Sequence, residues 1–399
     1  MKRAAALLTP VVLAACAGEY PQSSIDPKTD FAQVIHDLYG MITWITLGIL
    51  VVVWALLAYV LVKFRERPDS PHPRQIHGHL GLEIAWTIVP AIIVVVIAVP
   101  SVQAVFATQR GDPDNALVVH VEGNQFWWQF EYPEAEVLTA NELHLPVGQP
   151  ISLRLHSRDV IHSFWVPQLG GKRDVNPRRS VPRGEDMRYN WLHFTIEEPG
   201  VYMGQCAEFC GEAHSLMGMR VVAQEPEDFQ RWIADWKEGV GPMAQEPDTV
   251  EGADTLRGVG PAGPRGLEEE VPAGFEEGEV EARSETDVSD LPEGLDPETV
   301  AEGRRLFENN TCIGCHAIEG TNARAPVGPN LTLLGRRSTL AAGWLDNDLE
   351  NLVRWITAPH DIKPGALMPG VDEPGGNFPP TGLTEEQVRA IAQYLYSLR

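Results

Sequence analysis

Cysteine is scarce in this chain, with five in 399 residues: Cys16, a Cys206/Cys210 pair and a Cys312/Cys315 pair. Once the two close pairs are set aside, too few remain for a structural disulfide framework, so the sulfur is available for attachment and ligation. Basic side chains are scarce as well: 31 Lys and Arg stand against 55 Asp and Glu, for a net charge of −24. No basic stripe is present, which excludes nucleic acid as a partner. The acidic excess is uneven, because residues 245–295 alone hold fifteen acidic and three basic side chains on a Pro/Gly-rich background. That tract has few aromatics and no sustained apolar period, the composition of a disordered, self-repelling tether.

The opening residues, Met1 to Cys16, place Lys2 and Arg3 before an apolar stretch that ends Leu13-Ala14-Ala15-Cys16. This is an export signal, and the small residues ahead of a cysteine resemble the lipobox of bacterial lipoproteins, which makes Cys16 a lipidated mature N-terminus. Two long apolar runs follow. Met41–Val62 is twenty-two uncharged residues and Ile84–Phe106 twenty-three, each enough to cross a hydrocarbon core of about 30 Å. Lys63, Arg65, Arg67 and Arg74 lie between them, whereas only Lys28 and Arg110 lie near the outer ends. The basic loop is therefore cytoplasmic, and both termini face outward.

From residue 115 to 225 the pattern changes to short alternating runs, Leu117–Glu122, Trp127–Tyr132, Ile151–His156, Arg188–Ile196 and Met219–Val222, separated by Pro and Gly. Such runs predict a β-sandwich or barrel. The stretch Gly204–Met217 (GQCAEFCGEAHSLM) is expected in the loop between the last two runs, with a closing helix over Glu227–Trp236. From Asp296 the spacing is helical: Val300, Gly303 and Phe307 mark one face, and Leu349, Leu352, Val353 and Ile356 another. Thr384–Gln387 has the form of a capping box ahead of an amphipathic stripe running to Leu398. The domains expected are a signal peptide over 1–15, an outer segment over 16–40 and a helical hairpin over 41–107. A β domain over 108–242, an acidic linker over 243–294 and an all-helical domain over 295–399 follow.

Two motifs carry chemistry. Cys206, Cys210, His214 and Met217 crowd two thiolates, an imidazole and a thioether into twelve residues, and His162 offers a second imidazole from the sandwich. Soft sulfur with imidazole suits copper. Zinc held by Cys206, Cys210, His214 and His162 would leave Met217 idle, and a thiol-based copper carrier would need only the thiols and one imidazole. Cys312-Ile313-Gly314-Cys315-His316 is the attachment signature for a c-type haem, with two thioethers to the porphyrin and His316 as an axial ligand. Met368, in Lys363-Pro364-Gly365-Ala366-Leu367-Met368-Pro369, supplies the other axial position, and His360 is the alternative imidazole downstream. His/Met ligation closes the iron to substrates and suits an electron carrier.

At these residues the chain resembles subunit II of cytochrome c oxidase of the type with a cytochrome c domain fused at its C-terminus. The resemblance implies a cupredoxin-like Greek-key sandwich holding a dinuclear copper centre, the CuA site. Cys206 and Cys210 would bridge both coppers, His162, His214 and Met217 would complete them, and the Glu208 carbonyl would ligate. Its side chain would reach a magnesium ion shared with subunit I. By the same resemblance, Glu83 is a candidate entry for proton uptake, since an ionisable group at a membrane boundary is a functional candidate. Gly123–Tyr132 matches the aromatic stretch through which relatives accept electrons from cytochrome c. Phe126 stands where a tryptophan is usual there, so Trp127 and Trp128 become the candidate entry residues. The function implied is electron input to an oxygen-reducing subunit I, coupled to proton translocation, with subunit III and an external cytochrome c or upstream donor complex as further partners. Neither apolar run holds a histidine, so oxygen chemistry belongs to a partner. The alternatives are a lipid-anchored copper-delivery or thiol-redox protein, and the electron-input subunit of another respiratory reductase such as a nitric oxide reductase.

Overall fold

A computed structural model of the chain describes residues 22–65, 75, 77–109, 111, 113–177, 190–240, 291–292 and 294–399. Cys16, the signal segment and nearly all of the acidic tract lie outside the described residues.

Two helices open the fold, α1 (Asp30–Lys63) and α2 (Leu80–Thr108). At 1.5 Å per residue, the 34 residues of α1 extend about 50 Å, well beyond a hydrocarbon core of about 30 Å. The apolar stretches of both helices are unburied by protein, as side chains meant for lipid must be. The surplus of α1 lies at its start, where Phe31 and Ala32 are buried. Thr29 caps this end: its hydroxyl accepts from the Ala32 N–H and donates to the Leu169 carbonyl at 2.7 Å. Asp30 accepts from the Thr195 N–H, and the Phe31 ring lies against Gly170, where a Cβ would come within 2.3 Å of it. The first helix is thus anchored into the β domain, which fixes that domain relative to the membrane.

The β domain is a sandwich of ten strands: β1 (Leu117–Asn124), β2 (Trp127–Tyr132), β3 (Val137–Ala140), β4 (Glu142–Pro146), β5 (Pro150–Ser157), β6 (His162–Trp165), β7 (Arg173–Val175), β8 (Asn190–Thr195), β9 (Gly200–Cys206) and β10 (Gly218–Gln224). One sheet runs β3-β2-β1-β5-β8 and the other β4-β10-β9-β6-β7. Parallel pairs β1/β5 and β4/β10 sit among otherwise antiparallel neighbours, the cupredoxin-like arrangement. Alternation in β1 sends Val119 and Val121 inward to meet Phe130, Leu153 and Val221, the period-2 pattern of a half-buried sheet. Helix α3 (Pro226–Val240) closes one end, where Trp232 stacks on His144 at 4.2 Å.

Five strands, β3, β4, β6, β7 and β9, were not expected from the alternating runs. The most consequential is β9, because it takes in the first three residues of the expected loop and delivers Cys206 at its last residue, while 207–217 remain a loop.

The C-terminal domain packs α4 (Pro297–Glu308) against α7 (Glu385–Ser397), with α5 (Leu349–Thr357), α6 (Pro359–Ile362) and a two-residue hairpin, β11 (Thr339–Leu340) with β12 (Leu345–Asp346), around them. The predicted faces turn inward: Val300, Gly303 and Phe307 on α4 are buried, as are Leu352, Val353 and Ile356 on α5, with Leu349 half-buried at its start. The capping box is formed, with Thr384 accepting from the Gln387 N–H and the Gln387 side chain accepting from the Thr384 N–H.

Candidate functional site

The first site lies at one end of the sandwich, where β9, β6 and the loop into β10 meet. The Cys206 N–H donates to the Met217 carbonyl at 2.8 Å, and the Ala207 N–H to the Ser163 carbonyl at 2.9 Å. These bonds close residues 207–217 into a compact loop pinned to both neighbouring strands. The Gln125 side chain donates to the Cys210 carbonyl, fixing the far side of the loop.

Inside it, the Cys206 and Cys210 sulfurs are free and 3.8 Å apart. His162 Nδ1 is 3.9 Å from Cys206 Sγ, and His214 Nδ1 is 3.6 Å from Cys210 Sγ. Met217 Sδ lies 3.9 Å from Cys210 Sγ, and the Glu208 carbonyl 3.2 Å from Cys206 Sγ. His162 and Met217 are fully buried and His214 half-buried. All the ligand candidates named from the sequence converge here. Two soft sulfurs flanked by imidazole nitrogens on either side form a donor set that fits copper.

The hydrogen bond between the sulfurs pulls the Cys206 thiol well below its ordinary value and pushes Cys210 far above it. Without metal, the pair thus keeps one proton, and a metal taking both sulfurs must expel it. Burial by itself would lower His162. The Asp159 carboxylate, 2.7 Å from Nε2, and then Cys206 outweigh burial and raise it. Asp159 thereby holds the ring with Nδ1 turned to the sulfurs, the role an outer partner plays for a metal-bound histidine.

Around this centre, the Glu208 side chain is exposed and next to Phe209, itself 76 % exposed. Trp128 is fully buried and lies edge-on to His162, with ring centroids 5.9 Å apart; Trp127 is buried beside it. Neither indole is at the surface. Far from this end, the Glu83 carboxylate accepts from the His79 N–H in the first turn of α2.

The second site is in the C-terminal domain. Cys312 and Cys315 are free and half-buried, with burial raising both thiols to about 11. His316 follows, its Nδ1 donating to the Pro329 carbonyl at 2.9 Å. Burial lowers this imidazole below its usual value, and with Nδ1 committed, Nε2 is left as the ligating nitrogen. Gly328 makes the contact feasible, since a Cβ there would come within 2.8 Å of His316 Cε1. Met368 packs on the same core as Cys312 and Ile313. Two free thiols, an oriented imidazole and a thioether around one core fit a covalently held haem. His360 Nε2 is buried with no hydrogen-bond partner.

Sequence reasoning missed Asp159, Gln125, Gly328 and Pro329. Asp159 was in principle findable, three residues ahead of His162. The others act through backbone groups or across long sequence separations, and left no local signal.

Three protein-family models match this chain. The transmembrane domain of cytochrome c oxidase subunit II matches residues 18–104, its periplasmic domain residues 135–224, and cytochrome c residues 300–399. Cytochrome c oxidase subunit 2 of Alkalihalophilus pseudofirmus is 34% identical over 97% of this chain and 94% of its own length. The protein of that name from Bacillus sp. strain PS3 is 30% identical over 98% of this chain and 94% of its own. Among solved structures, the periplasmic domain of subunit II of cytochrome oxidase from Bradyrhizobium japonicum is 27% identical over 32% of this chain and 96% of that one, with a TM-score of 0.28. The membrane hairpin, the sandwich with its sulfur and imidazole cluster, and the Cys-X-X-Cys-His domain stand in that order in one chain, which belongs to the cytochrome c oxidase subunit II family.

Proposed function

We propose that this chain is the electron-input subunit of a terminal oxidase, carrying a dinuclear copper centre and a covalent haem c. The bracketing of two free sulfurs 3.8 Å apart by His162 and His214 carries the reading. Cys206 and Cys210 would bridge the metals, with His162, His214, Met217 and the Glu208 carbonyl as terminal donors. Cys312 and Cys315 would attach the haem, with His316 and Met368 as its axial ligands. When bound, the two groups would supply reversible one-electron chemistry.

The protein's own part is to keep these donors rigid and dry. Pinning of the copper loop at Met217, Ser163 and Gln125 leaves little geometry to reorganise when charge changes, which suits transfer at small driving force. Electrons would enter from an external cytochrome c or upstream complex, pass from haem to copper, and leave to subunit I, where oxygen is reduced and protons are translocated. Subunit III is a further partner. The Glu208 carboxylate, exposed in this chain, would meet a magnesium ion at the subunit I boundary, and Glu83 would be the proton-uptake group at the inner membrane face. The domain limits given above, the outward orientation and lipidation at Cys16 belong to the same reading.

Copper analysis with electron paramagnetic resonance on the full chain tests it. Two coppers sharing one unpaired electron are expected; one copper, or zinc, overturns the assignment. Copurification with a haem–copper large subunit is the second arm, and recovery of a nitric oxide reductase subunit instead would move the acceptor.

A further inference from the structure

The C-terminal domain lies on the copper end of the sandwich, and its contacts there are specific. The most buried charged group among them is Glu142, on the edge strand β4, only 3 % exposed. Its carboxylate accepts from the Ser338 N–H and hydroxyl at 2.9 and 2.6 Å, and from the Thr339 N–H and hydroxyl, both at 2.8 Å. Every hydrogen bond this carboxylate accepts among the described residues therefore comes from the other domain. A buried carboxylate is costly unless its lone pairs are met by good donors, and here the second domain meets them. Arg337, also buried, adds positive charge beside Glu142 and donates to the Asn330 carbonyl. The neighbouring Pro329 carbonyl is the one that orients His316.

A second contact lies across the interface. Lys363, 4 % exposed, donates from Nζ to the Phe126 carbonyl at 2.6 Å. Phe126 adjoins Gln125, whose side chain holds the Cys210 carbonyl. Between Lys363 and Met368, Gly365 adopts φ +84°, and a Cβ there would lie 2.7 Å from Glu212 Cβ. The loop that carries Met368 thus rests directly on the loop that carries Cys210 and His214. Two further polar contacts cross the interface, from Trp344 Nε1 to the Leu216 carbonyl at 2.8 Å and from the Arg158 guanidinium to the Pro326 carbonyl. Of these contacts, only those of Glu142 and Lys363 bring a buried charge to the interface, and each adjoins a group that orients a candidate ligand.

We propose that Glu142 and Lys363 are positioning residues that dock the haem domain in one register over the copper loop. The docked domain covers the edge of the aromatic stretch at Phe126, so a soluble donor reaches the haem domain rather than the copper end. This rests on the electron-input reading: one electron leaves the haem and one arrives at copper, with no bond made or broken.

The test uses the full chain, loaded with both groups and assembled with its partner. Glu142→Gln keeps the shape and removes the charge; Lys363→Met removes the donor. In the double variant, amide exchange at Ser338 and Thr339 is expected to quicken and haem-to-copper transfer after photoreduction to slow, each by roughly tenfold or more, as befits loss of charge-assisted bonds. The optical and paramagnetic signatures of both centres should stay as in the unmodified chain. Unchanged exchange, or quickened exchange with unchanged transfer, overturns the proposal. So does loss of either signature in Glu142→Gln and Lys363→Met alike, since the residues would then be holding the sites rather than the register. Should the unmodified chain pass no electron, the electron-input reading fails instead, while exchange protection at Ser338 and Thr339 still reports docking.

Discussion

Asp159 shows how much of a metal site lies outside its ligands. Its carboxylate meets His162 Nε2 at 2.7 Å and also accepts from the Gln125 N–H, so one side chain sets the imidazole and braces the residue that holds Cys210. Asp159→Asn should therefore lower copper affinity by roughly 10- to 100-fold, the usual effect of losing an outer partner. Competitive chelator titration of the full chain would measure it, and unchanged affinity would deny Asp159 that role. Gly328→Ala makes the parallel case in the other domain. A Cβ within 2.8 Å of His316 Cε1 and 2.9 Å of Nδ1 cannot coexist with the present ring position. The expected result is covalent attachment at Cys312 and Cys315 retained by mass, with the optical spectrum and midpoint potential shifted. The donor side chains that the fold brings together were legible in the sequence because Cys, His and Met are rare types clustered at short spacing. Gln125 and Gly328 are common types whose roles exist only once distant backbone segments meet, and Asp159, although three residues from His162, is a common type that no motif marks.

At the scale of elements, what could be read followed the strength of the local pattern. The two membrane helices, the α4 and α5 faces and the α7 capping box all had a period or a cap that the chain states locally, and all are present. Both membrane helices nevertheless run past the apolar runs, because Thr29 and His79 cap them beyond the hydrophobic limits. The missed strands share a reason. Strand β9 (Gly200–Cys206) contains two glycines, and β6 and β7 are four and three residues long; their pairing is decided by neighbours, which propensity does not see. Strand β4 is an edge strand held by its parallel partner β10. For the elements that were legible, the energetics are testable: Thr384→Ala removes the side chain that accepts from the Gln387 N–H, and should destabilise the C-terminal domain by about 1 kcal/mol. Chemical denaturation followed through the haem absorbance would measure it, and no change would mean that tertiary packing alone fixes the start of α7.

For the whole molecule, the sequence showed a chain of modules but not their contact, because Glu142 with Ser338 and Lys363 with Phe126 pair residues about two hundred positions apart across an acidic tract. That contact should depend on pH through Lys363. Burial lowers its amine from 10.5 to about 7, while the nearby Cys210 opposes the shift. When the domains separate, the amine returns to water and its ordinary value, so between pH 7 and 10.5 the separated state binds a proton that the docked state lacks. Raising the pH through that window therefore favours docking, by at most about tenfold per pH unit for one proton; below pH 7 both states are protonated and the dependence vanishes. The neutral amine still has hydrogens to donate to the Phe126 carbonyl, so the contact survives the loss of charge. Spin labels placed on the two domains of the full chain should report a growing docked fraction from pH 7 to 10, flattened in Lys363→Met. A docked fraction that falls across this range, or that rises equally in Lys363→Met, would mean that another group governs the contact.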